Sequence, residues 1–340
     1  MEPVPQLDLA RFAAWFERAC PGAMTGSLRA RLLAGGRSSL TYEVSDRTRS
    51  WVVRRPPLGH VLATAHDMGR EYRVMTALHG TEVPVPATYA LCADAEVTGA
   101  PFYVMQRVDG TAYRRAEQLE SLGPERTRTI ALRTVDTLAA LHEVDPDAVG
   151  LGDFGRPAGF PARQVRRWQQ QLDASRSRPL AGIDELGDQL AAAAPDDGAA
   201  AIVHGDYKLD NLLVDRDDRV AAVLDWEMAT LADPLADVGL FVVYQRLGDL
   251  GGEPGVAAAG AAPGYPGEEE LLGRYQQDSG RDLSGLGFYI ALACFKLAVI
   301  LEGIHYRHLH GQTVGAGYEH VGALAEPLAE AGLTALKERI

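Results

Sequence analysis

"IVHGDYKLDN" (Ile202–Asn211) and, a dozen residues on, "VLDWE" (Val223–Glu227) are the stretches on which the reading of this chain turns. The first crowds a histidine, two aspartates, a lysine and an asparagine into a turn-like segment flanked by apolar runs that read as buried strands. Phosphoryl transfer needs a carboxylate for the acceptor's hydroxyl proton, cations for the phosphates, and oxygen ligands for a metal ion. Asp206 fits the base, and Lys208 is a cation able to reach a transferring phosphoryl group. Asn211 and Asp225 offer the oxygen atoms that magnesium prefers. Read alone, Asp206 is equally an ordinary turn residue and Lys208 an ordinary loop charge.

Working outward, the segment before this motif is rich in short strands. "SLTYEVSD" (39–46) and "SWVVRR" (50–55) are β-branched and aromatic with a polar turn between them, which predicts a hairpin. "LLAGGRSS" (32–39) places a glycine turn ahead of it. "ATAHDMGREYRVMTALHG" (63–80) has apolar residues at helical spacing and a glycine at its end. "PVPATYAL" (84–91) and "PFYVMQRV" (101–108) read as two further strands. From about residue 112 the pattern turns helical, with "PERTRTIALRTVDTLAALHEV" (124–144) and "ARQVRRWQQQLDAS" (162–175) the clearest cases. "GGEPGVAAAGAAPGYPG" (251–267) reads as a flexible loop.

Composition narrows the classes. Hydrophobic residues make up 46% and charged residues 23% of the 340 positions, the balance of a soluble globular protein with a sizeable core. The net charge of -13 leaves no basic surplus for nucleic acid. Three widely spaced cysteines suggest neither a disulfide framework nor a zinc site. The start of the chain lacks a secretory pattern, and the apolar run 286–301 is interrupted by Lys296, so the expectation is a cytoplasmic protein, no membrane span and a buried helix there. The oligomeric state is open.

The pattern His-x-Asp-x-Lys-x-x-Asn, with an aspartate after a short hydrophobic strand, resembles the catalytic loop and metal aspartate of the protein-kinase-like fold. "HGDYKLDNLL" and "LDWEMATLADPLADVG", taken in order with "LAGGRSSLTYEV", "WVVRRPPLGHVLATAHDMGREYRVMTAL", "PFYVMQRVDG", "FPARQVRRW" and "KLAVILEGI", resemble the aminoglycoside phosphotransferase family, in the branch related to phosphotransferase domains fused to acyl-CoA dehydrogenases. The resemblance implies an α+β, bilobal fold: an N-terminal nucleotide-binding lobe over 1–107 with an antiparallel sheet plus helix, and a larger, mostly helical catalytic and substrate-binding lobe over 108–340. It implies ATP and magnesium as cofactors and a small hydroxylated molecule as acceptor.

It also implies residue roles. Gly36, Arg37 and Ser38 sit where a phosphate-covering loop belongs, and Ser39 stands where the family often has asparagine. Arg54 takes the place of the phosphate-binding strand lysine, with Glu71 as its helix partner; guanidinium can serve there because it binds phosphate bidentately. Arg55 points to the opposite strand face. Gln106 and Val108 flank the hinge whose backbone would meet adenine. His204, Asp210, Asp233 and Asp237 read as structural.

An activation segment of the protein-kinase type has no room between Asp225 and the helix expected near Pro234. A small-molecule kinase is therefore the leading expectation, acting on a hydroxyacyl-CoA or another anionic metabolite. The motive is the basic face Arg163, Arg166 and Arg167 with Arg307, set against the acidic run Glu268–Glu270. The plainer reading of Arg163, Arg166 and Arg167 is an ordinary solvated helix face. An aminoglycoside phosphotransferase and a non-catalytic nucleotide-binding pseudokinase are the alternatives.

Overall fold

The computed structural model describes residues 7–35, 39–56, 67–196, 198–251, 258–312, 318 and 320–338. The chain divides into two compact units, Met1–Gly110 with Ala221–Ala229, and Thr111–Val220 with Thr230–Ile340.

The first unit begins with α1 (Leu9–Ala19), started by Asp8, whose carboxylate accepts from the backbone N–H of Ala10 and Arg11 at 3.1 and 3.0 Å. Strands β1 (Arg29–Gly35), β2 (Leu40–Ser45) and β3 (Ser50–Arg55) follow, then α2 (Met68–Leu78), β4 (Thr88–Cys92), the short α3 (Ala95–Thr98) and β5 (Phe102–Gln106). The five strands form one antiparallel sheet in the order β1-β2-β3-β5-β4. Alternation along β3 sends Trp51 and Val53 into a core with Phe12 and Phe16 of α1, Tyr42, Val44, Phe102 and Val104. Phe16 meets Trp51 edge-on at 5.4 Å, a favoured aromatic geometry. Burying each such ring stabilises the unit by about 1.5–3 kcal/mol. The other face of β3 carries Arg54.

Two expectations are corrected here. The strand read over 84–91 starts only at Thr88, because Pro84 and Pro86 have no N–H to give a ladder. The helix read over 63–80 is described only from Met68, where Asp67 caps it with bonds to Gly69 and Arg70 N–H. Residues 63–66 lie outside the described residues. Helix α1 is an element that the sequence reading did not assign.

The second unit is mostly helical: α4 (Ala116–Glu120), α5 (Pro124–Glu143), α6 (Phe160–Ser175) and α7 (Ile183–Ala193) precede the motif. Proline at the first position of α5 costs nothing there, since that N–H has no helical partner. Strand β6 (Ala201–Val203) leads into the motif, which closes in a 3-10 turn at Leu209–Asn211 and continues as β7 (Leu212–Val214). At β8 (Val220–Val223) the chain passes into the first unit, and it returns as β9 (Thr230–Ala232), antiparallel to β6 with Ile202 opposite Leu231. Helices α8 (Leu235–Arg246), α9 (Glu268–Ser279), α10 (Leu286–Leu309) and α11 (Ala325–Ala335) complete it.

Helix α10 is long and apolar enough to cross a membrane by composition alone, yet it packs against α6, α7, α8 and α11 and is largely buried, as its all-round apolar surface dictates. Helix α8 crosses it at Gly239, where a Cβ would lie 2.6 Å from the Tyr289 carbonyl carbon and 2.8 Å from the Ile290 nitrogen. Only glycine lets the two backbones approach so closely.

Candidate active site

In the first unit, Arg54 and Tyr103 stand directly opposite on β3 and β5, on the face away from the aromatic core. Both meet Glu71 of α2. Arg54 Nε lies 2.9 Å from Glu71 Oε2, and the Tyr103 hydroxyl donates to the same oxygen at 2.9 Å. The second arm of the guanidinium pairs with Asp225 Oδ1. Burial works against Arg54's charge, but Tyr103, Glu71 and Asp225 outweigh it and hold the guanidinium firmly protonated. Burial raises Glu71 to about 7, against the lowering pull of Arg54 and the Tyr103 hydrogen bond.

Asp225 has φ 66° and ψ 61°, a left-handed conformation that costs a side chain energy and is found preferentially at functional sites. A 3-10 turn over Trp226–Met228 follows, fixed by the Trp226 indole N–H donating to the Val223 carbonyl at 3.0 Å. Arg55 points away from Arg54 and is fully buried, donating to the carbonyls of Pro56 (3.1 Å) and Thr98. The backbone N–H of Gln106 is already spent on the Ala87 carbonyl at 2.7 Å, and its side-chain oxygen accepts from Ala87 N–H at 3.2 Å. Val108 lies half-buried in the coil beyond β5. Gly36, Arg37 and Ser38 are outside the described residues.

In the second unit, the motif is held from behind. Asp237, fully buried on α8, accepts from the N–H of His204 at 2.6 Å and of Gly205 at 2.7 Å. His142 Nε2 lies 3.3 Å from Asp237 Oδ2, and His142 Nδ1 lies 2.7 Å from the Tyr275 hydroxyl. Burial opposes the Asp237 charge, but His142, His204 and these hydrogen bonds keep its carboxyl below the usual range. Gly205, at φ 79°, supplies the left-handed turn that lets both N–H groups face one carboxylate. His204 Nδ1 accepts from the Asp206 N–H at 3.2 Å, which makes it a loop-shaping group.

Asp206 emerges from this turn. Its Oδ2 lies 3.0 Å from Lys208 Nζ and 3.1 Å from Asn211 Nδ2, and its Oδ1 accepts from the Tyr244 hydroxyl. Burial pushes its pKa up, while Lys208, the Tyr244 hydrogen bond and Lys296 together bring it net below the ordinary range. The carboxylate is ionised at neutral pH. Lys296, from α10, donates to the Gly205 carbonyl at 2.9 Å. Asn211 also gives Nδ2 to the Asp206 carbonyl at 2.9 Å, so its own carbonyl oxygen is the atom left for a metal ion. Asp210 is pushed up by burial despite Lys208 and Arg114.

The sequence reading named six residues that the structure brings together in two groups, Arg54, Glu71 and Asp225 in the first unit and Asp206, Lys208 and Asn211 in the second. It missed Tyr103, His142, Tyr244 and Lys296. Lys296 had a signal, a lone charge inside an apolar helix, which almost always has a partner. Tyr244 had none.

Asp233, read as structural, precedes α8 and accepts the Leu235 N–H on its carboxylate at 2.9 Å. The basic face of α6 is not uniformly free, since Arg163 donates to the carbonyls of Arg156 and Ala158. The acidic run is partly neutralised, with Glu268 on Arg246 and Glu270 on Arg128. Among the described residues no group of three or more His, Cys, Asp or Glu side chains gathers as a metal site, at His305–His310 or elsewhere.

Comparison with known proteins places these features. Acyl-CoA dehydrogenase family member 11 of Gallus gallus is 35% identical over 320 residues, 92% of this chain but 41% of the relative. The chain thus spans about two-fifths of the length of these curated relatives. A crystal structure of a Ralstonia eutropha protein, provisionally named an aminoglycoside phosphotransferase, is 36% identical with a TM-score of 0.83, over 97% of this chain and 98% of that one. The aminoglycoside phosphotransferase APH(4)-Ia, solved with ADP and hygromycin B, shares the fold at 16% identity and a TM-score of 0.61, over 95% of this chain and 97% of that one. The α+β architecture is thus that of the kinase-like phosphotransferases. The model of the phosphotransferase enzyme family matches residues 29–273, and with it the conclusion is plain: this chain belongs to that family.

Proposed function

We propose that the protein is a small-molecule kinase that moves the terminal phosphoryl group of ATP to an acceptor hydroxyl. The observation that carries this reading is Asp206: an ionised carboxylate on a loop locked by Asp237, with a lysine at its side. In the transfer, the acceptor oxygen bonds to the γ-phosphorus as the bond to the β-phosphate's bridging oxygen breaks. The acceptor's proton passes to Asp206, and ADP leaves. Lys208 and Arg54 supply positive charge for the phosphates, and the buried Glu71 and Tyr103 keep the Arg54 guanidinium in one orientation.

The donor set suits magnesium, since Asp225 offers a carboxylate and Asn211 an amide oxygen, and both are hard oxygen ligands. Magnesium, when bound, neutralises phosphate charge. Gln106 and Val108 remain the proposed neighbours of adenine, and the loop Gly36–Ser38 the proposed phosphate cover.

For the acceptor we favour a hydroxyacyl-CoA or a similar anionic hydroxylated metabolite. Curated relatives are named acyl-CoA dehydrogenase family members, and two of the three acidic side chains of the Glu268–Glu270 run are already paired with arginine. An aminoglycoside is the second reading, favoured by the hygromycin B complex of APH(4)-Ia. The test is magnesium-dependent ADP release by the wild type and Asp206→Asn against hydroxyacyl-CoAs, aminoglycosides, sugars and choline-like alcohols. Turnover with one acceptor class, reduced at least about 10²-fold in the variant, supports the reading. ATP binding without turnover on any acceptor points instead to a nucleotide-binding module.

A further inference from the structure

The carboxylate of Asp206 is saturated. An ionised carboxylate offers about four lone-pair sites. Oδ1 accepts from the Tyr244 hydroxyl and from Lys208 Nζ at 3.3 Å, while Oδ2 accepts from Lys208 Nζ at 3.0 Å and from Asn211 Nδ2 at 3.1 Å. An acceptor hydroxyl that is to give its proton to this base must first displace one of these donors.

The three donors differ in how firmly they are held. Asn211 is tied to the same residue twice, through the Asp206 carbonyl and the carboxylate. Tyr244 is a rigid ring, buried on α8, whose helix also anchors the loop backbone through Asp237. Lys208 divides one ammonium between both oxygens, at 3.0 and 3.3 Å, and holds it on a flexible four-carbon stem with no second tie to the loop like that of Asn211. Its ammonium also lies 4.9 Å from the centroid of the Tyr244 ring, a cation–π contact that keeps it close to the carboxylate when its direct bonds to it are broken.

We propose that Tyr244 is a positioning residue for phosphoryl transfer, fixing Asp206 at Oδ1 while the acceptor hydroxyl takes its place on the carboxylate by displacing Lys208. The displaced ammonium is then free to meet the transferring phosphoryl group, so acceptor arrival and phosphate engagement are one event. This rests on the kinase reading above.

The experiment uses the full chain, magnesium ATP and whichever acceptor of the panel gives the highest turnover. Tyr244→Phe keeps the ring and removes the hydroxyl. Its kcat is expected to fall about tenfold with the nucleotide KM within about twofold, because aim is lost and binding is not. A kcat unchanged or raised overturns the proposal, and a raised value is the result if Tyr244 merely blocks the acceptor's place. A thermal double-mutant cycle of Tyr244→Phe with Asp206→Asn reads the contact without turnover: non-additive Tm shifts support it and strictly additive shifts overturn it. A wild type with no turnover on any acceptor removes the kinase reading and the proposal with it. Active wild type with unimpaired Tyr244→Phe removes the proposal alone.

Discussion

At Glu71 two effects oppose each other, and their balance makes a measurable prediction. Burial raises its carboxyl from 4.5 to about 7, so between those values the folded chain holds a proton that the unfolded chain has lost. The stability this contributes is full below pH 4.5 and disappears as pH rises through about 7. In chemical denaturation without nucleotide or metal, wild type is expected to lose a few kcal/mol relative to Glu71→Gln on going from pH 5 to pH 8. A difference independent of pH would show that Arg54 keeps Glu71 ionised throughout.

Lys296 makes the converse case. Burial lowers its pKa in spite of Asp206 and Asp237, so its charge costs the fold something at neutral pH. Lys296→Met is therefore expected to leave Tm unchanged or higher while kcat falls about tenfold or more, because the Gly205 carbonyl loses its donor. A lower Tm with normal kcat would assign the lysine to the fold alone.

Among the elements, α8 carries the most. Gly239→Ala forces a methyl against the backbone of Tyr289 and Ile290, where nothing flexible can yield. It is expected to destabilise by about 1–3 kcal/mol in urea titration. Elements with strong local chemistry were legible in the sequence. The hairpin of β2 and β3 showed itself through alternation around a polar turn, and α5 through its proline start and long apolar stripe. Strand β6 was legible as the apolar run before the motif, whereas β9, three residues that exist as a strand because they pair with β6 across the chain, was not, since no periodicity announces so short a run. The site divides in the same way. Asp206, Lys208 and Asn211 fall within one short motif. Tyr244 and Lys296 reach it from 38 and 91 positions away, so packing of α8 and α10 brings them there and no local pattern could.

For the whole molecule, a net charge of -13 acts on any charged acceptor before contact. Raising ionic strength from about 0.02 M to 0.2 M screens that field. The kcat/KM of an anionic CoA thioester is expected to hold or rise over that range, and that of a polycationic aminoglycoside to fall. A steep loss for the thioester would mean that local arginines such as Arg166 and Arg167 dominate its capture. Finally, Asp237 and Tyr244 lie seven positions apart on α8 (244 − 237), two helical turns, so both side chains leave the same face. The helix is thereby a gauge of fixed length between the backbone of the Gly205 turn and the Asp206 carboxylate. One inserted residue inside that interval swings Tyr244 through about 100° and takes its hydroxyl off the Asp206 carboxylate. Insertion or deletion between Asp237 and Tyr244 therefore uncouples the two grips on the turn, even where the helix itself still forms.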